Sequence, residues 1–204
     1  MKEQQDYIQD LSEIRSMMER SSKFLSLSGL AGVMAGIYAL AGAWFAYSVL
    51  GFSTQELSTG YSDTTNVTQL VTLAVTILVV AVGTAIILSW KKANKRGESA
   101  WNATSKRMIA NMSVPLLSGG LLILILLSNN ALMLIAPISL IFYGVALYNA
   151  SKFSFNDVKY LGIVQIGLGL LAALYTNYAL LLWAIGFGVV HIGYGIYMHI
   201  RHER

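Results

Sequence analysis

Apolar and polar positions fall in long blocks along this chain. Apolar stretches fill 24–50, 68–90, 108–128, 131–149, 160–175 and 179–200, and polar segments separate them. A helix rising about 1.5 Å per residue needs about 20 residues to cross a hydrocarbon layer about 30 Å thick, and these stretches are near that length. The pattern predicts an all-α polytopic membrane protein with six transmembrane helices arranged as three hairpins. Ahead of the first span, residues 1–23 are polar and charged, yet Tyr7, Leu11, Ile14 and Met18 recur at steps of four, three and four. That spacing marks one face of an amphipathic helix, cytoplasmic or interfacial. A short tail, 201–204, closes the chain.

Composition supports the lipid setting: 55% of the residues are hydrophobic and 12% charged, more apolar surface than one soluble core of this size needs. The absence of cysteine excludes disulfides, thiolate metal sites and a cysteine nucleophile. Charge matters through its placement. All 14 Lys and Arg residues fall in the leader, in 91–107, in 150–159 or in the tail, and none falls in 51–67, 129–130 or 176–178. Because cytoplasmic loops hold the lysines and arginines, six spans with this sorting place both termini in the cytoplasm. The basic 91–107 segment then reads as an orientation signal, and nucleic acid is not expected as a partner. Trp44, Tyr47, Trp90, Tyr160, Tyr175 and Tyr178 stand near span ends, as interfacial aromatics do.

A charged leader before an apolar run could imitate a signal peptide, but this one is too long and too acidic. Its Lys2, Arg15, Arg20 and Lys23 stand against Glu3, Asp6, Asp10, Glu13 and Glu19, a poor match to anionic headgroups. The Tyr7, Leu11, Ile14 and Met18 face therefore suits a second copy, a cytoplasmic protein partner or the inner ends of the bundle. In the first span Gly32 and Gly36 form a GxxxG pair that lets another helix approach closely.

A shift of 48 residues lays SNNALMLIAPI, beginning at Ser128, on TNYALLLWAIG, beginning at Thr176. Spans three and four thus read as a parallel copy of spans five and six, and the same shift sets Tyr143 opposite His191. With three hairpins rich in small residues, and with runs such as FYGVALY and GFGVVHIGYGI, the chain resembles small six-span bacterial membrane proteins of unassigned function. It shows a distant similarity to the HdeD acid-resistance membrane protein family. The resemblance implies a bacterial inner membrane and a stress-related role; it brings no catalytic or binding motif.

Candidate chemistry is sparse. Gly188, His191, Gly195 and His199 share one face of the sixth helix, and Gly162, Gln165, Gly169 and Ala172 one face of the fifth. Gln165, His191 and Tyr143 form the candidate interior polar cluster, and Gly32, Gly36, Gly188 and Gly195 the helix-packing set. His191 is either a neutral histidine that fixes helix register or the lining of a watery path or ligand cavity. Haem is not expected, since no other span holds a histidine within it. His199, His202 and Glu203 have metal-ligand spacing, but the frayed chain end favours a solvated helix terminus. Glu56 and Asp63 are too few for paired-carboxylate catalysis, and neither a phosphate loop nor a serine nucleophile motif is present. No cofactor and no enzymatic activity are expected. The sequence points to a non-enzymatic assembly, sensing or stress-related membrane component, homo-oligomeric in lipid; the alternative is a channel or transporter for a neutral or weakly polar solute.

Overall fold

A computed structural model describes Phe24 and residues 27–51, 64–97 and 99–202. The leader, with its Tyr7, Leu11, Ile14 and Met18 face, lies outside the described residues, as do Glu56, Asp63 and Glu203. The elements are α1 (Gly29–Ser48), α2 (Thr64–Lys95), α3 (Ala103–Ser128), α4 (Ile135–Ala150) and α5 (Asp157–Leu174). The sixth rod begins as α6 (Ala179–Ala184), widens into a π-helical turn (Ile185–Val190) and continues as α7 (His191–His202). Among the described residues there is no strand, and six helical stretches are long and apolar enough to cross a membrane. Their outward faces are large and apolar. Val79, Leu117, Leu121 and Leu174 are more than 60% exposed, a surface suited to lipid.

Helix ends differ from the hydropathy pattern where local chemistry intervenes. α3 starts at Ala103 rather than Met108 because Asn102 caps it. The Asn102 side chain accepts from the Ser105 N–H at 2.8 Å, and the Asn102 N–H donates to Ser105 Oγ at 2.9 Å. This reciprocal pair satisfies donors that the first turn leaves open. α2 runs on to Lys95, since lysines are good helix formers and suit the negative end of the helix dipole. Asn129 and Asn130 turn the chain as expected. Asn130 takes φ 56°, a left-handed conformation that Asn tolerates better than most residues.

Two close seams organise the bundle, and each joins helices from different predicted hairpins. Along the first, α1 lies against the sixth rod. A methyl on Gly29 would come within 2.5 Å of the Gly195 carbonyl oxygen, and one on Gly36 within 2.7 Å of the Gly188 carbonyl oxygen. The Gly32-Gly36 pair and Gly188 and Gly195 are thus spent on a contact within the chain. Along the second seam, α4 lies against α5. A methyl on Gly144 would sit 2.6 Å from the Gly162 carbonyl oxygen, and one on Gly162 would sit 2.7 Å from the Gly144 carbonyl oxygen. Only glycine lets backbones approach this closely. α2 packs mainly on α1, where Tyr38 Oη meets Thr84 Oγ1 at 3.3 Å, and α3 packs mainly on α4.

One end of the bundle gathers the polar connections. The Phe24 N–H donates to the Phe153 carbonyl at 2.7 Å, and buried Ser154 donates from Oγ to the Phe24 carbonyl at 3.0 Å. Lys92 donates to the Leu27 carbonyl, and Arg96 Nη2 to the His202 carbonyl at 3.2 Å. Every Lys and Arg among the described residues stands at this end. Charge is therefore sorted in space as it is in sequence. Trp44, Tyr47, Trp90, Tyr160, Tyr175 and Tyr178 are all exposed.

Candidate functional site

The three polar residues singled out in spans four to six meet in the interior. Tyr143 comes from α4, Gln165 from α5 and His191 from the first position of α7. Gln165 is 0% exposed and His191 4%. Tyr143 Oη lies 2.9 Å from His191 Nε2, Gln165 Nε2 donates to the Gly186 carbonyl at 2.7 Å, and His191 Nδ1 lies 2.9 Å from the same oxygen.

The Gln165 and His191 side chains converge on one carbonyl within the π-helical turn. Such a turn carries one residue more than an α-helical turn, so its backbone groups fall out of the usual i to i−4 pairing. His191 reaches back five residues to Gly186, and Gln165 reaches across from α5. A carbonyl oxygen has two lone pairs and can accept both. The residues expected on one face of the sixth helix meet two sets of neighbours. Gly188 and Gly195 turn toward α1, where added methyls would strike Leu40 and Val33, while the His191 ring turns toward α4 and α5.

Requiring each donor to meet an acceptor fixes the histidine tautomer. With the proton on Nδ1, His191 donates to Gly186 and its Nε2 accepts from the Tyr143 hydroxyl. With the proton on Nε2, two lone pairs would face each other at 2.9 Å between Nδ1 and the Gly186 oxygen, and the Tyr143 proton would have to leave His191 for another acceptor. Of the two neutral tautomers, the Nδ1–H form is the one that suits both contacts. The 3.2 Å separation of Gln165 Nε2 and His191 Nδ1 then reflects two donors converging on one acceptor.

Gly186 leaves room for the side chains around it. A methyl there would lie 2.7 Å from Gln165 Oε1 and 2.6 Å from Leu140 Cδ2. Gln165 Oε1 has no hydrogen-bond donor among the described residues. Aromatic rings enclose the imidazole. Phe187 stacks on it at 5.8 Å and 15°, and Tyr143 flanks it at 5.4 Å. Trp183 in turn meets Phe187 at 5.0 Å, tilted by 42°, and donates from Nε1 to Ser139 Oγ at 3.2 Å.

A second group ties α5 to α7 at the basic end. Asp157, in the first turn of α5, lies 3.2 Å from His202 Nε2 and 3.8 Å from Arg201 Nη1, and accepts from Tyr197 Oη at 3.4 Å. Arg201 also donates to the Tyr197 hydroxyl. The His202 ring lies 4.3 Å from that of Phe155, tilted by 35°. The expected solvated tail is thus partly tied down. Among the described residues no group of three His, Asp or Glu side chains could hold a metal ion.

Sequence reasoning passed over Gly186, Phe187, Tyr194 and Asp157. The five-residue spacing from Gly186 to His191 was the one visible signal, and it has meaning only once the helix is known to widen there. No family model matches the chain, and neither a curated protein nor a solved structure matches it.

Proposed function

We propose that this protein is a non-enzymatic membrane component that works by assembly or sensing at its basic end. One observation carries the reading. Gln165 and His191 are buried, His191 pairs with Tyr143, and both Gln165 and His191 bond the Gly186 carbonyl. A route for a neutral solute, the other reading, needs water at His191. The 4% exposure of that residue speaks against such a route. The stress-related bacterial inner-membrane setting implied by the resemblance fits this reading, as do a homo-oligomer and a cytoplasmic protein partner held through Tyr7, Leu11, Ile14 and Met18. In this reading the six helices form three hairpins in membrane lipid, with both termini in the cytoplasm.

Deleting residues 1–20 tests the assembly. The truncated protein is expected to insert normally but to lose a partner or change its oligomeric size in crosslinking and size-exclusion measurements. Unchanged size and unchanged partners would refute the role of the leader. Orientation is tested separately, because the chain has no cysteine of its own. A thiol introduced by Ser58→Cys is expected to react with a membrane-impermeant maleimide from outside intact cells, whereas one introduced by Lys152→Cys reacts only after permeabilisation. The reverse result would invert the topology.

A further inference from the structure

We propose that His191 takes up a proton from the basic end of the bundle through Tyr194 and Tyr143, with Asp157 at the entrance. Tyr194 stands on α7, three residues beyond His191 toward that end. It packs with Tyr143 against a common cluster formed by Leu147, Val158, Leu161 and Met198. Its hydroxyl oxygen is buried and meets no hydrogen-bond partner, and the shared cluster includes Val158, the chain neighbour of Asp157. A buried hydroxyl in hydrocarbon demands a partner, so an unmatched one between a buried histidine and a carboxylate at the bundle end marks a place for a bridging water. Asp157 meets Tyr197, Arg201 and His202 there, and it is 23% exposed.

The transfer balances without any group beyond solvent. A water-borne proton entering beside Asp157 binds the Tyr194 oxygen as the original Tyr194 proton leaves, through one bridging water, for Tyr143. Tyr143 gives its own O–H proton to His191 Nε2 and takes the arriving one. An N–H bond forms, each O–H bond that breaks is re-formed, and the net change is one solvent proton on the imidazole. Release runs the same steps backward.

The surroundings fit both protonation states. In the imidazolium Nδ1–H keeps its bond to Gly186, Nε2–H donates to Tyr143, and the Phe187 and Tyr143 rings flank the new charge. The groups facing His191 are Tyr143 from α4, Gln165 from α5, Phe187 and Tyr194 from the sixth rod, and the Gly32 backbone from α1. Beyond Phe187, the Trp183 and Ser139 tier closes the side away from the basic end. A path closed to solutes can still pass protons, so this inference stands independently of leader-mediated assembly.

Nitrogen-15 NMR on the full chain in lipid nanodiscs, with labelled histidine, reads the His191 tautomer and the rate at which its ring proton exchanges with water. Tyr194→Phe keeps the ring and removes the hydroxyl. It is expected to leave the Nδ1–H tautomer signature in place and to slow exchange at least tenfold; Asp157→Asn is expected to slow it several-fold. Ser139→Ala, on the closed side, is expected to change nothing. Exchange in Tyr194→Phe within twofold of the unmodified protein, with the tautomer intact, would overturn the proposal. Should Tyr194→Phe lose the tautomer signature, Asp157→Asn decides by the same twofold criterion.

Discussion

Gly162→Leu is expected to break the bundle, whereas Gly167→Leu, five residues along the same helix, is expected to leave it intact. At Gly162 the first added carbon would lie 2.7 Å from the Gly144 carbonyl oxygen and 2.9 Å from the Tyr148 nitrogen. Both obstacles are backbone, so no rotamer change relieves them, and α4 and α5 must move apart. Overpacking typically costs about 1 to 3 kcal/mol, and with backbone on both sides a loss at the upper end, about 3 kcal/mol, is expected. At Gly167 nothing lies within 4 Å, and replacing a helical glycine removes its conformational freedom, so the change is neutral or slightly favourable. Reversible unfolding in mixed micelles measures both. Equal stability of the two variants would show that the glycine seam does not hold α4 to α5.

His191→Leu is expected to cost about 2 kcal/mol in the same assay, because the Tyr143 hydroxyl would lose its 2.9 Å partner inside a buried site. The Gly186 carbonyl keeps Gln165, which limits the loss. Tyr143→Phe alone is expected to cost about 1 kcal/mol, and the pair to couple by about 1 kcal/mol, near the upper part of the range found for hydrogen bonds between membrane helices. A coupling indistinguishable from zero would mean that the two side chains do not bond in the membrane.

How far the chain could be read depended on helix regularity. On α5, a uniform 100° step placed Gly162, Gln165, Gly169 and Ala172 together, and all four are buried. The sixth rod breaks the rule. One added residue within Ile185–Val190 rotates the remainder of the rod relative to its first turns, and no propensity in IGFGVV announces the change. Gly32 and Gly36 were legible as a close-contact face, but the neighbour they touch was not. A small-residue stripe states that a backbone comes near without saying whose. Asp157 escaped notice for a similar reason. A carboxylate in a connecting segment looks solvated until the chain end that folds back onto it is in view.

The fastening at Phe24 gives the leader a mechanical route into the bundle. Its main chain is bonded to Phe153 and Ser154, and its ring packs among Met108, Ala150 and Phe153. Tension applied upstream is therefore delivered to the joint between the fourth and fifth spans before it can stretch the first. That joint lies next to the carboxylate that anchors the last helix, so tugging on the leader would loosen the far end of the chain.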